Sequence, residues 1–117
     1  MESQAHTSRS YQQHRALAVL CTCPSSSVAE QVANELVDNQ IAACVNIIPG
    51  VKSVYRWQGK IAQDEEIMLV IKTTGRRFEA VRECIRRVHP YELPEVIGVS
   101  IEQGDEAYLK WIEESVR

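Results

Sequence analysis

Two periods of apolar residues run along this chain, and the change from one to the other marks its elements. Residues 16–22, ALAVLCT, form an apolar run of strand length and predict a buried strand, which Pro24 ends. Val28, Val32 and Leu36 then recur every four residues, with Ala29, Ala33 and Val37 beside them. That is one face of a helix closing near Asp38-Asn39, and Ser27 with Glu30 has capping-box spacing at its start. Residues 43–57 are rich in β-branched and aromatic side chains and predict a strand. Pro49-Gly50 lies inside it, where a bulge is expected. Gln58-Gly59 suits a tight turn, and residues 60–74 return as a second strand of the hairpin. After Thr74-Gly75, Phe78, Val81, Ile85 and Val88 form the stripe of a second helix. Pro90 stops it by pushing His89 toward an extended conformation. Residues 89–95, HPYELPE, hold two prolines and predict a stiff loop; residues 96–101 predict a fourth strand. Gly104-Asp105 opens a last helix carrying Tyr108, Leu109, Ile112 and Val116.

From residue 16 to 117 the order is β-α-β-β-α-β with an added C-terminal helix. This is the ferredoxin-like α+β arrangement: one domain, an antiparallel sheet and helices on one face. Residues 1–15 are polar and carry no apolar period. They predict a disordered tail in which His6 and His14 are solvated.

The hairpin is long for so small a domain. Its strands, 43–57 and 60–74, are each 15 residues. At about 3.3 Å per residue such a strand spans roughly 50 Å, against a radius of gyration of about 13 Å for a domain of this size. The outer part must project past its own core, with Val54, Tyr55, Trp57 and Ile61 near the tip. A lone hairpin is marginal in water and its edges invite pairing, so a closed cyclic assembly is expected in which each hairpin reaches the next subunit.

Composition narrows the function classes. At 117 residues and 13.3 kDa there is room for one domain, and 44% apolar with 25% charged residues is an ordinary globular balance. A net charge of −3 argues against a nucleic-acid binder. No apolar stretch reaches the length of a membrane span, and the first residues lack the apolar core of a secretory signal, so a cytoplasmic protein is expected. Cys21, Cys23, Cys44 and Cys84 fit a reducing compartment. Residues two apart on a strand are about 6.5 Å apart, near the upper limit for a disulfide, so Cys21 and Cys23 are expected as free thiols. Cys44 and Cys84 are expected as small buried hydrophobes.

Few of these residues suit catalysis. Residues 67–74 lack the aromatics of an RNA-recognition strand, Cys21-Thr22-Cys23 is one residue short of C-x-x-C, and CTCPSSS holds neither the glycine nor the arginine of a phosphate loop. G-x-x-x-x-G-K, H-E-x-x-H and G-x-S-x-G are absent from the sequence. His89 is the one histidine of residues 16–117. It could serve as base to Cys21, or the two could bind a soft metal, since thiolate and imidazole suit copper and zinc. Core filling by Cys21 and a loop hydrogen bond from His89 are the plainer alternatives.

LCTCP at 20–24, AACVNIIPGVKSVYRWQGKI at 42–61, IKTT at 71–74, HPYELPEVI at 89–97 and YLKWI at 108–112 resemble the CutA family of divalent-cation tolerance proteins. The likeness runs through all of residues 16–117. It implies a ferredoxin-like subunit in a tight, PII-like homotrimer, a link to copper and other divalent metal ions, and no established enzyme activity. It also implies copper ligands at Cys21 and His89. The family's further histidine is replaced by Val88, which has no donor, so weak copper binding is expected; Cys23 could supply a second thiolate if the strand stays regular as far as Pro24. Trp57, Glu65, Lys72, Tyr91 and Glu95 are the candidates for an intersubunit cleft. Such a cleft suggests a PII-like small-molecule sensor as the alternative function.

Overall fold

The computed structural model describes residues 15–117, so the tail expected over 1–15 lies outside the described residues except for Arg15. Arg15 itself is tied into the fold. Its carbonyl accepts from Gly75 N–H at 3.0 Å, and its Nε donates to the Ile101 carbonyl at 3.0 Å.

The elements are β1 (Ala16–Cys23), α1 (Ser26–Asp38), β2 (Cys44–Trp57), β3 (Lys60–Thr74), a 3₁₀ turn (Gly75–Arg77), α2 (Phe78–Val88), β4 (Ile97–Ser100) and α3 (Glu106–Ser115). The strands form one antiparallel sheet in the order β2-β3-β1-β4, the ferredoxin-like topology with the added helix.

Helix α1 begins slightly earlier than its capping-box spacing suggests. Ser25, extended at φ −153°, is the cap, and its Oγ accepts from Val28 N–H at 3.2 Å. Three serines in a row can each serve. The first is used because the chain leaves β1 at Cys23 and turns at once. The hairpin turn has Gln58 at φ 51° and Gly59 at φ 78°, the paired positive φ that matches strand twist. The register slips between Ile48 and Val51, as expected at Pro49-Gly50.

Strand residues that face one another across the sheet share a face. Val19, Cys21 and Cys23 stand opposite Ile71, Leu69 and Ile67. They pack with Ala29, Val32 and Leu36 of α1 and with Val81, Cys84 and Ile85 of α2, making the core. Val88 also packs on this core.

The opposite face of the sheet has two four-strand rows, Asn46–Val70–Leu20–Ile97 and Cys44–Lys72–Ala18–Val99, with Ile48–Met68 beyond them. Ile48, Ile97 and Val99 are exposed there. Cys44 belongs to this face and is half-buried rather than buried, because its side chain points away from α1 and α2. The molecule measures 48 × 32 × 26 Å, its long axis reflecting the projecting hairpin.

Candidate functional site

The candidate site arises from a mismatch in strand length. β4 pairs with β1 only from Leu17 to Leu20, whereas β1 continues to Cys23 against β3. Alternate carbonyls of β1 point toward β4. That of Ala16 accepts from Ile101 N–H at 3.2 Å, but that of Thr22 has no strand residue opposite. An unpaired buried carbonyl is costly. His89, sent into extended conformation (ψ 134°) by Pro90, fills the gap, with its Nε2 at 2.7 Å from the Thr22 carbonyl. Its Nδ1 accepts from Tyr91 N–H at 3.2 Å. The ring's proton is therefore assigned to Nε2, which donates to Thr22. The imidazole is buried, and the Tyr91 ring meets it edge-on at 4.6 Å.

Because β1 stays regular through Cys23, Cys21 and Cys23 both face the core and are fully buried. All four cysteines are free thiols. Donor atoms of Cys21, Cys23 and His89 lie within 4.8 Å of one another. Cys21 Sγ also donates to the Thr22 carbonyl, at 3.7 Å. The hydrogen bond between the two thiols, then burial, then the charges of Cys23, Glu95 and Glu66 push the Cys21 thiol far above its ordinary range. The same bond lowers Cys23.

Tyr91 carries the site through to the other face of the sheet. Its hydroxyl donates to Glu66 Oε2 at 3.1 Å, and burial followed by the Glu66 charge pushes its phenol up to about 12. Glu66 is buried, whereas its neighbour Glu65, the sequence candidate, is exposed opposite Lys52. The period of two separates them: Glu66 shares a face with Met68 and Val70, Glu65 with Ile67 and Leu69. Within one chain, then, Cys21, His89 and Tyr91 come together and the charge of Glu95 reaches Cys21. Trp57 stands at the hairpin tip opposite Lys60, and Lys72 at the other end of β3, where its Nζ donates to Asn46. Thr22 and Glu66 escape sequence reasoning. A backbone acceptor has no side-chain signature, and Glu66 sits within the run Asp64-Glu65-Glu66, which reads as solvated.

The likeness to known proteins covers nearly the whole domain. The sequence profile described as CutA1 divalent ion tolerance protein matches residues 17–115. The divalent-cation tolerance protein CutA of Thermus thermophilus is 44% identical over 97 residues, 83% of this chain and 94% of that protein. Human protein CutA is 44% identical over 95 residues. That stretch is 81% of this chain but 53% of the human one, so the chain spans about half the length of its mammalian relatives. Among solved structures, the Thermus thermophilus protein superposes with a TM-score of 0.85 at 42% identity, covering 87% of this chain and 99% of that one. CutA1 from Oryza sativa gives a TM-score of 0.85 at 38% identity over 88% of this chain and 94% of its own. With the profile spanning residues 17–115 and a relative 44% identical over 94% of its own length, the chain belongs to the CutA1 divalent ion tolerance family.

Proposed function

We propose that this protein binds copper and other divalent metal ions through Cys21 and His89, as a cytoplasmic homotrimer that acts by binding rather than by turnover. The observation that carries the reading is the meeting of a buried thiol and a buried imidazole at the Thr22 carbonyl, in a chain whose relatives are named for divalent-cation tolerance. Thiol and imidazole are ligand types for copper and zinc. Val88, turned into the core, offers no donor, which favours weak rather than tight binding of Cu(II). Free thiols at all four cysteines suit the reducing cytoplasm. The exposed apolar residues of the open sheet face support assembly, since Ile48, Ile97 and Val99 would be covered by neighbouring subunits.

Calorimetric titration of the assembled protein with Cu(II) tests the metal site. Binding should be measurable, lost in the Cys21→Ala/His89→Ala double variant, and weaker at acid pH, because protons compete with the ion for its ligands. Copper binding that is unchanged in the double variant removes this site from consideration.

A further inference from the structure

We infer that Cys21, Cys23 and His89 together hold a soft, thiophilic monovalent cation of the Cu(I) class, and that ligation by His89 releases the backbone N–H of Tyr91. The inference rests on the metal-binding reading above and assigns the ion, the third donor and the coupled movement.

The donor set selects the ion. Two sulfurs and one imidazole nitrogen are soft or borderline ligands, whereas hard cations require oxygen. Zinc in a closed site takes four ligands. Among the described residues no fourth histidine, cysteine or carboxylate joins this group, and all three members are buried, so water is not at hand to complete a tetrahedron. Glu66, the nearby buried carboxylate, is engaged by the Tyr91 hydroxyl. A d¹⁰ monovalent ion satisfied by two or three soft donors has no such shortfall. The fit is close: two sulfurs bound to one metal at about 2.3 Å are at most about 4.6 Å apart, and the donors here already lie within 4.8 Å of one another. Binding involves no redox step. The ion forms bonds to sulfur, and the displaced thiol protons go to solvent.

His89 couples the site to its loop because both ring nitrogens are engaged. A neutral imidazole that ligates through Nε2 carries its proton on Nδ1, which can then no longer accept from Tyr91 N–H. Ligation through Nδ1 uses the lone pair that Tyr91 N–H now holds. By either route the 3.2 Å bond from Tyr91 is lost. Tyr91 bears the hydroxyl that grips Glu66 across the sheet, so ion uptake on the core side loosens a contact on the open side.

The test uses the full chain under anaerobic conditions, with Cu(I) supplied in competition with a colorimetric Cu(I) chelator, and Zn(II) titrated alone. Expected are one Cu(I) per chain, at least a tenfold weaker Cu(I) affinity in Cys23→Ser, and at least tenfold faster hydrogen exchange at the Tyr91 amide on loading. X-ray absorption on the unmodified protein should count two sulfur donors, which keeps the test decisive if Cys23→Ser fails to fold. Unchanged affinity in Cys23→Ser, a single sulfur donor, Zn(II) held as tightly as Cu(I), or unaltered Tyr91 exchange in the loaded protein overturns the inference while leaving a Cys21–His89 metal site standing. Binding of Cu(I) and Cu(II) alike that ignores Cys21→Ala/His89→Ala removes the underlying reading as well.

Discussion

His89 is a structural residue before it is a ligand. Its Nε2–H satisfies a carbonyl that no strand can reach, so His89→Ala leaves the Thr22 oxygen without that donor. With the weak Cys21 thiol left as that oxygen's donor, losing the bond costs about 0.5–1.5 kcal/mol, and urea unfolding of this variant should show a loss of that order in the metal-free protein. A second residue-scale network joins the two core helices. Glu35 of α1 accepts from Arg87 Nη1 at 3.3 Å and from the Cys84 thiol at 3.4 Å. The Arg87 hydrogen bond, aided by that from Cys84, holds the Glu35 carboxyl below the usual carboxylate range. Burial and the Glu35 contact push the Cys84 thiol up to about 11. A carboxylate with a depressed folded value contributes stability that is present above its unfolded value, about 4.3, and fades as pH falls through the folded one. Carbon-detected NMR titration should show Glu35 becoming protonated late on acidification, and Arg87→Met should move its midpoint upward.

At the scale of elements, much of the fold is written in the chain. The period of four over Val28, Val32 and Leu36 and the apolar run of β1 identify α1 and β1, and Gln58-Gly59 identifies the hairpin turn. Gly59→Ala tests that turn. A side chain in the left-handed region costs about 1–2 kcal/mol, and the thermal midpoint should fall, although a Cβ there would meet no atom within 4 Å. What was less legible depends on contacts between elements. Which of three serines caps α1 is decided by where β1 releases the chain. Cys23 faces the core only because β3 holds β1 regular to its last residue, opposite Ile67. The sequence brings His89 into view as a donor, but its bond to Thr22 follows from β4 ending short of β1 and from the loop crossing there. No single segment encodes that mismatch.

For the whole molecule, the open sheet face is the feature that bears on assembly. Ile97, 52% exposed, lies at the end of a row that runs across all four strands. Ile97→Lys places a charge on the apolar face without touching the helix side of the core. Sedimentation equilibrium should find the unmodified protein near the mass of three chains at micromolar concentration and this variant shifted toward a single chain. A stable folded monomer of the unmodified protein would remove the trimer and any cleft between subunits. The sheet order also sets a schedule for synthesis. β1 is central in space yet the first strand among the described residues, and its two neighbours, β3 and β4, come late. An emerging chain therefore carries its most apolar strand with both edges bare until residue 74 supplies one partner, and with one edge bare until residue 100 supplies the other. Exposed apolar edges template aggregation. A ribosome stalled before residue 97 thus holds a sticky intermediate, and the early strand of this fold is the one most in need of a chaperone.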